Sequence, residues 1–149
     1  SSQAMTALMR MTLPLRTDAR MYRLRETWIR IFNQVCDERQ RQETKWGEQR
    51  HPHHPADLSR QTRIELANEA REVCERAAKE GRTTWAHILF EEAMEAQAED
   101  DPYARLTELI QVMAVCTAQI EQIYEEVGDP CMSIAQAQDR TETLAARPA

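Results

Sequence analysis

Glycine is almost missing from this chain: 3 residues in 149, beside 6 prolines. With Glu, Arg, Ala and Gln abundant, that scarcity leaves a helix-forming composition with few turn residues. No segment carries a strand signal, and no glycine-rich stretch is present to cradle a phosphate. Long apolar runs are also missing, none approaching the ~18 residues of a membrane span. Residues 1–14 lack the charged, apolar, cleavage-site order of a secretory signal. The cysteines, Cys36, Cys74, Cys116 and Cys131, contain no C-x-x-C pair. Three of them fall in predicted helices, where a thiol serves as a small apolar side chain. The expectation is a reducing, cytoplasmic setting without a membrane. The formal net charge of −6 argues against general nucleic-acid binding. Neither a Ser-His-Asp arrangement nor Cys/His zinc spacing is legible.

What remains is the reading of one all-α domain over 16–128, with an N-terminal tail at 1–15 and a mobile or weakly helical tail at 129–149. A first helix is expected over 17–45, with Met21, Leu24, Trp28, Ile31 and Val35 on one face and Ile29, Phe32 and Cys36 widening it. Gly47, Pro52 and Pro55 make 46–57 a loop. A second helix over 58–80 turns small residues inward: Ala67, Ala70, Cys74, Ala77 and Ala78. A third runs from an N-cap near Thr83 to Ala98, with Trp85, Ile88, Leu89, Glu92 and Ala96 as its stripe. Asp101-Pro102 supplies an N-cap and an N1 proline for the fourth. There, Leu106, Leu109, Met113, Cys116, Ile120, Ile123 and Val127 repeat as a coiled-coil-like seam. The long seams of the first and fourth helices exceed what one small bundle covers, so oligomerisation is expected.

Two acidic patches interrupt these apolar patterns. Glu92 lies within the inward arc of the third helix, Glu95 at its edge, and Glu91 points further out. On the fourth helix Glu108 shares a side with Val112 and Val115, with Gln111 just outside. The short connection at 99–101 makes these helices antiparallel neighbours, and a rise of ~1.5 Å per residue lets Glu92 and Glu108 come level. Converging carboxylates do not all ionise in a dry site without a cation. Mg²⁺ suits them, with Mn²⁺ as a substitute, because hard oxygen ligands leave water positions for substrate phosphates. For any one glutamate alone, the plainer reading is a solvated residue paired with Arg or Lys.

The ordered set resembles the all-α nucleoside triphosphate pyrophosphohydrolases of the MazG type, marked by E-x-x-E on one helix and E-x-x-D on the next. Glu92-Ala93-Met94-Glu95 matches the first half, and Glu108-Leu109-Ile110-Gln111 matches the second except at its last position. Trp85-Ala86-His87-Ile88-Leu89 and Lys45-Trp46-Gly47-Glu48-Gln49-Arg50-His51-Pro52 extend the likeness over roughly 41–123. The resemblance implies a four-helix bundle-like architecture assembled as a homodimer or homotetramer. It also implies hydrolysis of a (d)NTP or related nucleotide between the α and β phosphates, giving a monophosphate and pyrophosphate. Glu92, Glu95 and Glu108 would be its catalytic metal ligands. Gln111 would join them with a neutral oxygen where the family has Asp.

Other residues fit a nucleotide. Trp46 offers a ring to stack on a base or to cap the bundle. Lys45, Arg50, Lys79 and Arg82 offer positive charge for phosphates. His51, His53 and His54 form a dense group with metal-binding side chains, set against a loop stiffened by two prolines. His87 is expected to be structural. Two other classes of function compete. One is a nucleotide-binding sensor or sequestering protein without turnover, favoured by Gln111. The other is a helical interaction module without a ligand.

Overall fold

The computed structural model describes residues 18–128 and 134–146, apart from the side chains of Asp18 and residues 134–137. It is all-helical: α1 (Asp18–Trp46), α2 (Arg60–Lys79), α3 (Trp85–Ala98), α4 (Pro102–Val127) and α5 (Ile134–Ala145), with no strand among the described residues. No helix there is long and apolar enough to cross a membrane. The N-terminal tail and residues 129–133 and 147–149 lie outside the described residues. Within the C-terminal tail, where a mobile or weakly helical segment is expected, 134–145 form α5.

Local chemistry explains where the helices begin and end. Ser59 caps α2, its hydroxyl accepting from the Thr62 amide at 3.1 Å. Thr84, one residue later than expected, caps α3. His87 completes that cap: its Nδ1 accepts from the Thr84 amide at 3.1 Å, a structural role as expected. Asp101 Oδ2 accepts from the Ala104 amide at 2.8 Å at the start of α4. Gly81 closes α2 at φ +68°, with its amide on Ala78 O and the Arg82 amide on Ala77 O, the paired bonds of a Schellman end. A Cβ at Gly81 meets no neighbour, so Gly81→Ala isolates the left-handed backbone cost. Denaturant unfolding should show a loss of about 1–2 kcal/mol.

The chain divides into two compact units: 50–119, and 18–49 with 120–128 and 134–146. In the first, α2 packs on α3. Ala67, Ala70, Cys74 and Ala77 are buried, and their small side chains permit close helix approach. Ala78, expected inward, is exposed. Ala78 lies about 20° round the helix from Ala67, at the margin of the 67–70–74–77 face, and in the last turn of α2 that margin is left open.

The face that α4 buries differs from the expected seam. Leu106, Leu109, Met113, Ile123 and Val127 are exposed, Cys116 and Ile120 half-buried. The inward residues of the first unit are instead Arg105, Glu108, Gln111, Val112 and Val115. Arg105 lies on this face and donates Nη2 to the Glu99 carbonyl at 2.6 Å, across the short α3–α4 connection. Glu108, Gln111, Val112 and Val115 continue that face at spacings of three and four, while Leu109 stays exposed.

In the second unit, Ile31 and Tyr124 are buried. Trp28 Nε1 donates to Glu121 Oε1, and Gln34 Nε2 donates to the Tyr124 hydroxyl at 2.8 Å. Val35, and the Ile29, Phe32 and Cys36 expected to widen the α1 face, are exposed. The buried stripe stays narrow, set by the positions of Leu24, Trp28 and Ile31.

Candidate metal centre

The residues that α3 buries are Glu91, Glu92, Glu95 and Ala96, while Phe90 beside them is exposed. Three carboxylates are thus packed where a helix normally places Leu or Ile. Relative exposures of 2%, 0% and 6% for Glu91, Glu92 and Glu95 make this inversion complete. An unpartnered ionised carboxylate in such a place costs several kcal/mol.

Glu92, Glu95 and Glu108 converge. One carboxylate oxygen from each lies within 4.8 Å of the others. Among the described residues this is the one group of three or more acidic, His or Cys side chains so arranged. Both oxygens of Glu92, Oε2 of Glu95 and Oε2 of Glu108 are buried without a hydrogen-bond partner. Gln111, one turn beyond Glu108, adds a buried and unpartnered Oε1. Five orphaned acceptor oxygens, without donors of their own, are the complement of a hard cation.

The electrostatics agree with that shortage of positive charge. Burial, then the charges of Glu95, Glu91 and Glu108, push the Glu92 carboxyl up to about 7. Burial also raises Glu108, reinforced by Glu95. Among the described residues, Arg71 of α2 is the cation bonded to the triad: its Nε and Nη2 donate to Glu95 Oε1 at 3.2 and 2.8 Å. The Glu95 bond is the main reason its guanidinium holds its proton more firmly than usual. Arg71 Nη1 donates to Asn68 Oδ1 at 3.2 Å, so the guanidinium is fixed on one oxygen of Glu95 and leaves the other toward the cluster.

Glu91 does not point outward as its helical position suggests. It is buried against α2, where it bonds the Cys74 thiol. Burial and this carboxylate push Cys74 up to about 12, so the thiol stays protonated and unreactive. Burial likewise raises Glu91 itself, opposed by the Cys74 bond. The Ala-rich stripe of α2 lets α3 approach closely enough to widen its buried arc as far as Glu91. The signal for this in the sequence is the Ala67–Ala70–Cys74–Ala77 stripe opposite two adjacent glutamates.

A cavity of about 230 Å³ opens beside the triad, lined by Glu95, Glu108, Glu99, Asn68, Arg60 and Arg71 among others. Its positive charges are Arg60 and Arg71, which sequence reasoning did not single out. Arg71 is marked only by following the buried Ala70, on the margin of the small-residue stripe. Lys79 and Arg82 are exposed beyond the last buried turn of α2 and do not line this cavity, and Arg82 pairs with Glu80. Arg50 is exposed in the same unit. Lys45 and Trp46 belong to the other unit, where the Lys45 Nζ stands 4.9 Å from the centroid of the exposed Trp46 ring. His51 and His53 are exposed, whereas His54 turns inward onto Arg63 and Arg105. The three histidines therefore do not form a metal-holding group.

No protein-family model, curated protein or solved structure matches this chain.

Proposed function

We propose that the protein is a Mg²⁺-dependent nucleotide pyrophosphohydrolase that cleaves a (d)NTP or related nucleotide between its α and β phosphates. The observation that carries this reading is the buried convergence of Glu92, Glu95 and Glu108, with oxygens that no protein donor satisfies. These three carboxylates hold the ion, Mg²⁺ or Mn²⁺ in its place, and the Gln111 oxygen completes the set. When bound, the ion neutralises phosphate charge and favours attack by water. Arg60 and Arg71 give the adjoining cavity the positive charge that a phosphate chain requires. A water oxygen bonds to the α phosphorus as the bond to the bridging oxygen of the β phosphate breaks. Pyrophosphate departs, and the water's proton passes to a carboxylate of the acidic cluster.

Lys45, Trp46, Arg50, Lys79 and Arg82 are assigned to the nucleotide from their chemistry, in a MazG-like bundle that a second copy completes. The exposed Leu106, Leu109, Ile110 and Met113 on one face of α4 support that assembly. The family resemblance supplies the α–β regiochemistry; the acidic cluster supports a divalent cation, and Arg60 and Arg71 beside it a phosphate ligand.

A second reading, a nucleotide sensor without turnover, is favoured by Gln111, whose amide brings an oxygen but no charge. Calorimetric titration with Mg²⁺ in the presence and absence of nucleotide tests the site directly. Wild type binds the ion, and Gln111→Asp tightens binding about tenfold, a change of ~1.4 kcal/mol. The enzyme reading expects turnover to rise with it. Tighter binding in a variant that still releases no pyrophosphate would support the sensor, and no Mg²⁺ binding in either protein would remove both readings.

A further inference from the structure

The first unit holds a second charged cluster, in which His54, Arg63 and Arg105 are largely covered while Asp100 and Arg60 are exposed. At its centre is His54, in the segment between α1 and α2. Its Nε2 lies 3.2 Å from Nη1 of Arg63 on α2 and 2.8 Å from Nη2 of Arg105 on α4. A guanidinium only donates, so Nε2 is the accepting nitrogen and His54 is neutral, with its proton on Nδ1. From the α3–α4 connection, Asp100 Oδ1 stands 3.6 Å from His54 Nε2, 2.8 Å from Arg63 Nη2 and 4.0 Å from Arg105 Nη2. Its Oδ2 lies 3.4 Å from Arg60 Nε. The Gln97 carbonyl accepts from Arg63 Nη1 at 2.7 Å, and the Glu99 carbonyl from Arg105 Nη2 at 2.6 Å. On its own segment His54 is flanked by the His53 ring, 6.3 Å away between centroids.

We infer that His54 is a proton-sensitive clasp, holding the 50–58 segment onto Arg63 and Arg105 while its imidazole is neutral. Within 50–59 only His54 and Leu58 are not exposed, so this side chain is one of the segment's two inward anchors. Protonation would remove the lone pair that two guanidinium groups share. It would also add a cation beside three arginines that face a single carboxylate. Arg63 and Arg105 would still keep Asp100 and the Gln97 and Glu99 carbonyls, so the helices stay joined and the segment is what leaves.

Burial, then Arg63 and Arg105, hold the His54 imidazole below its ordinary 6.5. Closure is therefore complete above 6.5 and is lost as the pH falls through the lowered value. Each unit by which closure lowers that value appears as about a tenfold rise in segment opening across the titration.

Nitrogen-15 NMR of the full chain tests the clasp, together with hydrogen exchange over 50–58 between pH 8 and pH 4.5, corrected for intrinsic rates. At pH 8 the expected state of His54 is neutral, with the proton on Nδ1. Exchange in the segment should rise severalfold as the pH falls, with a midpoint at the titration of His54, while α2 and α3 remain protected. In His54→Gln, whose amide oxygen accepts at every pH, that rise should disappear. The carboxylates of the acidic cluster are unchanged in that variant, so their titration does not mimic the result. An Nε2-protonated or charged His54 at pH 8 overturns the clasp. So does a segment that stays closed through the titration of His54, or one that opens equally in the variant. Should His54→Gln fail to fold, the wild-type midpoints decide: coincidence supports the clasp and divergence rejects it.

Discussion

Replacing Glu92 with Met should make the metal-free protein more stable at pH 8 and at the same time insensitive to Mg²⁺. Glu92 is fully buried and its carboxyl titrates at about 7, raised from 4.5 chiefly by burial and then by Glu95, Glu91 and Glu108. A carboxyl whose folded value lies above its unfolded one contributes its stability in the protonated form. That stability is fully present below 4.5 and is lost as the pH rises through about 7. The shift corresponds, with solvent screening discounted, to about 2–3 kcal/mol by pH 8. Methionine has a similar volume and no charge to desolvate, so the variant escapes the loss. The expected rise in melting temperature is about 5–10 °C at pH 8 without metal, and it should shrink as the pH falls toward 4.5. Wild type should regain about 3 kcal/mol from Mg²⁺ at a hundredfold excess over its dissociation constant. The variant should regain nothing. A helical interaction module also gains stability on losing this charge, so the response to Mg²⁺ separates the two readings. A wild type whose melting is indifferent to Mg²⁺ would contradict the metal centre.

The second large effect is on chemistry. Glu108→Gln keeps the size of the side chain and one oxygen but removes a charge from the triad. Pyrophosphate release under saturating nucleotide should fall about 10²–10³-fold, the scale of losing one preorganised electrostatic partner of a transition state. Raised Mg²⁺ should restore part of that rate if the defect lies in holding the ion. Arg71→Met is the contrasting case. It removes the clamp on Glu95 Oε1 and a cation from the cavity, so both the KM for nucleotide and the need for Mg²⁺ should change. If both variants keep wild-type rates, the triad is not the reacting site.

The helices were legible in the sequence because capping residues and glycines mark them so plainly. Asp101 opens α4, Thr84 caps α3 one residue past the Thr83 expected, and Gly47 and Gly81 follow the ends of α1 and α2; the Ser59 cap of α2 was not read from the sequence, which put that start at 58. The convergence of Glu92, Glu95 and Glu108 was legible as well, since a short connection between antiparallel helices fixes which positions come level. The buried face of α4 was harder to read. Leu106, Leu109 and Met113 form an apolar stripe as regular as the face that Val112 and Val115 share with Glu108, and periodicity alone does not choose between them. The choice is made by tertiary packing, of which the bond from Arg105 to the Glu99 carbonyl is one part. The burial of Glu91 was hidden for a related reason. The stripe read from the sequence has Glu95 at its edge, and the alanines of α2 admit α3 closely enough to extend the buried arc by about 40° to Glu91. Arg63 was not singled out in the sequence, and His54 read only as one of three clustered histidines with metal-binding side chains. Only Asp100 and the two arginines, brought together by the fold, explain why they are inside.

The most direct test of the central claim is phosphorus-31 NMR of the products formed from a panel of (d)NTPs and guanosine alarmones, with and without Mg²⁺, by wild type and Glu92→Met. The account predicts, for at least one nucleotide, a monophosphate and pyrophosphate that appear only with the metal and not with the variant. Products in equal yield from both proteins, or no turnover and no Mg²⁺-dependent nucleotide binding by wild type, would contradict it.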